Sequence, residues 1–182
     1  MMILLDSVAE LRCLGAHLAA GHKLKFKFDC CKAKYYNAIN AILAYVLNKA
    51  DIVLPLCNAQ CVPILLYCVE AMSLTKSEKV KLSHPYFRLF GKLFNSFNNI
   101  TLNQCQWYTG RMPLEFLIDL REIKFFNKLS ISNNYLIQTI YSIKGKEVLK
   151  QLENKYGIHH NSGVSWRTAI WQHFELSIDF QG

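Results

Sequence analysis

The stretch "DIVLPLCNAQCVPILLYCVEAM", residues 51–72, limits what this chain can fold into more than any other. Two prolines stand inside an apolar run. In a helix, a proline lacks an amide hydrogen and its ring clashes with the carbonyl four residues earlier. A central strand is excluded too, because proline cannot donate to the ladder. The run therefore predicts two short buried helices, with Pro55 in the first turn of one and Pro63 opening the other. Glu70 marks the exposed end of the run or pairs with a lysine of the basic segments.

Helical spacing dominates the rest of the chain. Asp29 predicts an N-cap for a helix over roughly 30–48, where Tyr36, Ile39, Leu43 and Val46 recur at three- and four-residue steps. "TKSE" (75–78) has capping-box spacing, and a helix from there to about 97 would be kinked at Pro85. The Asn-rich "NSFNNITLNQ" reads as a loop and a subdomain boundary. Further helical patterns cover about 101–109, 113–129, 134–156 with a break near Gly145, and 164–177. A short helix fits 3–10. After it, "LRCLGAHLAAGHKLKFKF" predicts two extended segments joined near Ala20-Gly21, with Leu24, Phe26 and Phe28 alternating with Lys23, Lys25 and Lys27. The fold class is mainly α, a helical bundle with a short N-terminal β-hairpin.

Composition bounds the setting. A 52% hydrophobic content suffices for a packed core, so disorder is not the expectation. Seven cysteines, an odd number without the dense spacing of a disulfide scaffold, suit a reducing compartment. The start "MMILLDSVAEL" has no basic leader region, and no stretch approaches ~18 uninterrupted apolar residues. The chain is expected to be soluble and intracellular, nuclear or cytoplasmic, with no membrane partner.

The net charge of +8 is localised: residues 22–49 carry net +5 and residues 74–95 net +4. In the second segment Lys81, Arg88 and Lys92 fall within ~20° of one helical line, with Phe87, Phe90, Phe94 and Phe97 roughly opposite. Such a stripe suits a polyanion whose counterions it displaces, although an ordinary solvated lysine face has the same composition. Catalytic signals are absent. Two-metal phosphoryl transfer needs clustered carboxylates, and no two acidic residues are adjacent in the sequence. No phosphate-cradling glycine loop occurs. Cys57, Cys61 and Cys68 share one side of a continuous helix, but lacking paired knuckles or a nearby histidine they read as small buried hydrophobes rather than zinc ligands. His159-His160 reads as part of a polar loop rather than a metal site. Neither a catalytic residue nor a metal ligand is assigned.

Four blocks in order, "LGAHL" (14–18), "YYNAINAIL" (35–43), "CVPILLYCVEAMSLTKSE" (61–78) and "FRLFGKLF" (87–94), resemble the region downstream of the catalytic palm in non-LTR, LINE-type, jockey-like retrotransposon reverse transcriptases. "WYTGRMPLEFLIDLREIKFF" is a weaker echo. The resemblance implies that residues 1–28 end the palm with a primer-grip-like hairpin carrying Leu14 and Gly15, that 29–98 form a thumb-like helical bundle, and that 99–182 are a C-terminal helical extension. It further implies template-primer nucleic acid as partner, held by Lys23, Lys25, Lys27, Lys32, Lys34, Lys81, Arg88 and Lys92. The active-site Asp-Asp turn and its magnesium would belong to palm and fingers outside these residues. On its own the chain would then be no enzyme, with no cofactor and no small-molecule substrate. Cys13 and Cys68 depart from the family pattern, standing where an aromatic residue and a glycine are usual. The alternative is a helical protein-interaction module without nucleic-acid binding.

Overall fold

This computed structural model describes residues 10–13, 16–19, 25–46, 49–72, 74–158 and 164–178. The protein is mainly α. Its packing divides into two compact units, Met1–Cys68 and Val69–Gly182, so the chain parts inside the expected 29–98 segment.

In the first unit, strands β1 (Glu10–Cys13), β2 (Ala16–Ala19) and β3 (Lys25–Phe26) form an antiparallel sheet in that order. Cys13 pairs with Ala16, and Leu18 with Phe26. The link expected at Ala20-Gly21, and the helix expected at 3–10, lie outside the described residues.

Helix α1 spans Asp29–Val46. Asp29 is its first residue rather than its N-cap, because the Lys32 amide already donates to the Phe28 carbonyl at 2.9 Å. The carboxylate therefore acts on the positive end of the helix dipole. The buried row is Cys31, Tyr35 and Ile39, with Tyr36 exposed. Adjacent tyrosines made the predicted face one residue wrong at that point.

Helices α2 (Ala50–Leu56) and α3 (Val62–Leu65) are joined by a π-helical segment, Cys57–Cys61. Pro55 lies near the end of α2, not in its first turn, whereas Pro63 does open α3. The π segment explains how the chain stays helical into that second proline. The Val62 amide donates to the Cys57 carbonyl five residues back, and the widened turn eases the steric demand of the Pro63 ring. Tyr35, Ile39, Val53, Leu54, Cys57, Cys61, Val62 and Leu65 form the buried layer where α1 packs against this stretch. At the end of the unit Cys68 takes a left-handed φ of 61°.

The second unit begins with a 3₁₀ turn, Val69–Ala71, followed by α4 (Lys76–Phe94). The capping box forms as predicted: Thr75 Oγ1 accepts from the Glu78 amide at 3.3 Å, and Glu78 Oε2 accepts from the Thr75 amide at 2.8 Å. The helix runs through Pro85 and stops at Asn95, whose φ of 48° turns the chain. Asparagine tolerates this conformation better than most residues. Phe97 thus lies beyond the helix and is exposed, instead of extending the apolar face. The Asn-rich loop is shorter than expected, because the Asn98 side chain caps α5 (Asn99–Tyr108) by accepting from the Ile100 amide at 2.9 Å.

Helix α6 (Leu114–Ser130) is central to this unit, packing on α4, α8 and α9. Gln138 in α7 (Tyr135–Ile140) donates to the Ser130 and Ser132 carbonyls at 2.9 and 2.6 Å, satisfying acceptors around the end of α6. No break follows at Gly145. A second π segment, Tyr141–Gly145, carries the helix into α8 (Lys146–Tyr156), and α9 (Trp166–Leu176) closes the unit. Ile123, Phe126, Leu149, Leu152, Tyr156 and Ile170 lie in its core.

A Cβ at Gly145 would sit 2.4 Å from Tyr141 Cδ2 and 2.9 Å from Phe126 Cδ1. Glycine is therefore required by close approach, not by an unusual φ. Gly145→Ala gains up to ~1 kcal/mol of helix propensity, but overpacking against two rings costs ~1–3 kcal/mol. The expected result is net destabilisation, seen as a lower urea midpoint; an unchanged or higher midpoint would contradict it.

Candidate functional site

Helix α4 presents two chemically distinct faces. Leu82, Tyr86, Leu89 and Phe90 are buried, while Lys81, His84, Arg88 and Lys92 are exposed. At 1.5 Å rise per residue, Lys81 and Arg88 are about 10.5 Å apart along the axis and Arg88 and Lys92 about 6 Å. This gives a line of fixed cationic positions on a rigid support. Lys79 does not belong to the surface charge counted in this segment: its ammonium turns inward.

The other predicted contacts distribute unevenly. Lys27 and Lys34 are exposed and Lys32 is half-buried; at 100° per residue, Lys32 and Lys34 point in different directions around α1. Lys25 lies in β3, with its side chain outside the description. Lys23, Leu14 and Gly15 lie outside the described residues. Among the described residues, Lys81, Arg88 and Lys92 are the predicted contacts that form a common line. Glu70 pairs with Arg121 at 3.8 Å instead of with a lysine.

Sequence reading missed a buried charge cluster in the second unit. Asp119 on α6, whose side chain is only 2% exposed, accepts from Lys79 Nζ at 2.8 Å, Lys155 Nζ at 2.6 Å and the Tyr156 hydroxyl at 2.6 Å. One turn further along, Glu122 accepts from the same Lys79 ammonium at 3.0 Å. Burial alone would raise the Asp119 pKa, but the bonds from Lys155, Lys79 and Tyr156 outweigh it and hold the carboxyl below its ordinary range. Glu122 goes the other way. Burial pushes it up, and the shared Lys79 only partly compensates. Burial opposes the charge on Lys79, but the bond to Asp119 keeps its pKa above the ordinary value. The Tyr156 hydroxyl is pushed strongly up by burial and by the Asp119 charge. Ammonium groups thus occupy the space between these carboxylates, and the cluster ties α4, α6 and α8 together.

Cys57 and Cys61 are fully buried, and burial raises the Cys61 thiol pKa despite its bond to Cys57. The raised pKa favours the protonated, unreactive form of the Cys61 sulfur. No group of three or more metal-ligating side chains occurs among the described residues. The stretch Ala50–Ala71 contains an 18-residue window of mean hydropathy 1.9, so by length and composition it is apolar enough to cross a membrane, although 44% of that window is buried inside the fold. The expectation from uninterrupted apolar runs had set this stretch aside, since Asp51, Asn58, Gln60 and Glu70 interrupt it. No protein family, curated protein or solved structure matches the chain.

Proposed function

We propose that this chain is a catalytically incomplete, thumb-type part of a retrotransposon RNA-directed DNA polymerase, holding template-primer nucleic acid by its backbone. The observation that carries the reading is the exposed line Lys81, Arg88 and Lys92 on a helix anchored by its opposite face. Cations spaced along a rigid rod meet phosphates without reading bases. Cys68 adds support: the resemblance places a glycine there, and the backbone at that residue has the φ of 61° that glycine adopts without strain. On this reading the magnesium-binding aspartates belong to a palm outside these residues, the other partners are palm and fingers, and the setting is intracellular.

A second reading, a helical protein-interaction module, is favoured by the exposed apolar row Tyr135, Leu136, Ile140 and Ile143. Fluorescence anisotropy separates the two. A labelled primer-template hybrid titrated at several salt concentrations should bind independently of sequence, with a log-log slope near −0.9 per duplex phosphate contacted. A Lys23/Lys25/Lys27→Ala variant, shown folded by circular dichroism, should flatten that slope if the N-terminal lysines join the grip. Equal affinity and slope would remove them from it. No binding of the hybrid at low salt would leave the interaction-module reading.

A further inference from the structure

The second unit contains a cleft of about 650 Å³ between α4, α5, the start of α6 and the end of α9. That size suits a small organic ligand. Gln106, only 1% exposed, lines it, and neither its carboxamide nitrogen nor its oxygen has a hydrogen-bond partner among the described residues. A buried polar group left in this state costs ~1–3 kcal/mol. A carboxamide presents a donor beside an acceptor, so a ligand with the complementary pair on one edge satisfies both. Nucleobase edges have that pattern.

The remaining lining fits the same ligand class. Phe87 and Phe116 contribute aromatic surface, and Phe97, 90% exposed, offers a ring on which a planar heterocycle can stack. Arg88 and His84, one helical turn apart on α4, supply donors for a phosphate, and Arg88 matches its oxygens bidentately. Glu115 is the acid of the lining and leaves the α4 side as the place for an anion.

We propose that this cleft binds a nucleotide, the Gln106 carboxamide pairing with the base edge and Arg88 holding the phosphate. Both carboxamide atoms are shielded in the free protein, so pairing requires the side chain to swing into the cleft, where the amide can present either order of donor and acceptor and recognition is tolerant of base identity. The proposal deepens the nucleic-acid reading and rests on it for one source, an unpaired nucleotide of a bound strand. A free mononucleotide has the same chemistry.

The test uses the full chain, with adenosine 5′-monophosphate, ribose 5-phosphate, and a hairpin duplex either blunt or carrying one unpaired nucleotide. The monophosphate should bind saturably, shift the Gln106 side-chain amide resonances, and bind at least about tenfold tighter than ribose 5-phosphate, the loss expected for an unmade bidentate pair. Gln106→Leu should lose at least that factor while binding the blunt duplex as wild type does. A tighter grip on the overhang duplex that vanishes in Gln106→Leu identifies the strand as the source; mononucleotide binding without that preference identifies the free nucleotide. Unmoved Gln106 amide resonances, or equal monophosphate affinity in Gln106→Leu, would overturn the proposal. Blunt-duplex binding without monophosphate binding removes the cleft and spares the backbone grip, and the reverse removes the grip and spares the cleft.

Discussion

Asp119→Ala is expected to lower the melting temperature by roughly 6–12 °C, while Glu122→Gln is expected to leave it unchanged or raise it. The two acids are one helical turn apart and share Lys79, and burial disfavours the charge on both, yet three bonds carry Asp119 below its ordinary range while Glu122 stays raised. Removing Asp119 strips the counter-charge from two ammonium groups and the acceptor from a buried phenol. Breaking a buried pair costs about 3–5 kcal/mol, and the low end applies because Lys155, 44% exposed, can turn to water. At ~2–4 °C per kcal/mol for a chain of this size, the stated shift follows. The pH dependence carries the same signature. Glu122 is raised in the folded state, so its contribution to stability falls as pH rises from its ordinary 4.5 through the folded value. Asp119 is depressed, so its contribution is present above its ordinary 3.8 and is lost as pH falls through the folded value. Thermal melts from pH 3 to 8 should show Glu122→Gln flattening the higher-pH change alone. A costly Glu122→Gln or a harmless Asp119→Ala at pH 7 would refute this account of the cluster.

Removing the α4 line should produce the largest change in binding. If Lys81, Arg88 and Lys92 each neutralise one duplex phosphate, each contributes a factor that scales as the salt concentration to the power of about −0.9. For three contacts that is on the order of 3,000-fold at 50 mM salt and 80-fold at 200 mM. The Lys81/Arg88/Lys92→Ala variant should therefore bind a blunt duplex more weakly by a factor that shrinks with salt, its log-log slope shallower by nearly three units. The three side chains are exposed, so the melting temperature should stay within a few degrees of wild type. A uniform loss at every salt concentration would point to altered folding instead, and no loss would take α4 out of the interface.

The helices were largely legible because their signals are local. Thr75 and Glu78 are three residues apart, proline marks the run from 51 to 72, and the 3.6-residue spacing of apolar side chains marks the others. Errors arose where neighbours compete for the same role, as when Tyr35 took the buried place expected of Tyr36. Asn98 read as loop because asparagine favours turns and caps alike. The Asp119 cluster was not legible. Its partners lie 36, 37 and 40 residues away, and no spacing rule links Lys79, Asp119, Lys155 and Tyr156 before the helices pack. Gln106 gives no signal either, since a glutamine in a helix looks alike whether it faces water or a cleft.

The π turn before Gly145 amounts to one residue more than a regular helix would hold over the same path, as if a single codon had been inserted and kept. Because each residue advances a helix by about 100°, that extra residue sets the rotational phase of everything that follows. Leu149, Leu152 and Tyr156 face the core, and Lys155 meets Asp119, only in this phase. In an otherwise unbroken helix from Tyr135 to Tyr156, a one-residue deletion here would therefore be harsher than most single substitutions. A one-residue insertion elsewhere in the same helix would restore the count and with it the facing of Leu149, Leu152 and Tyr156.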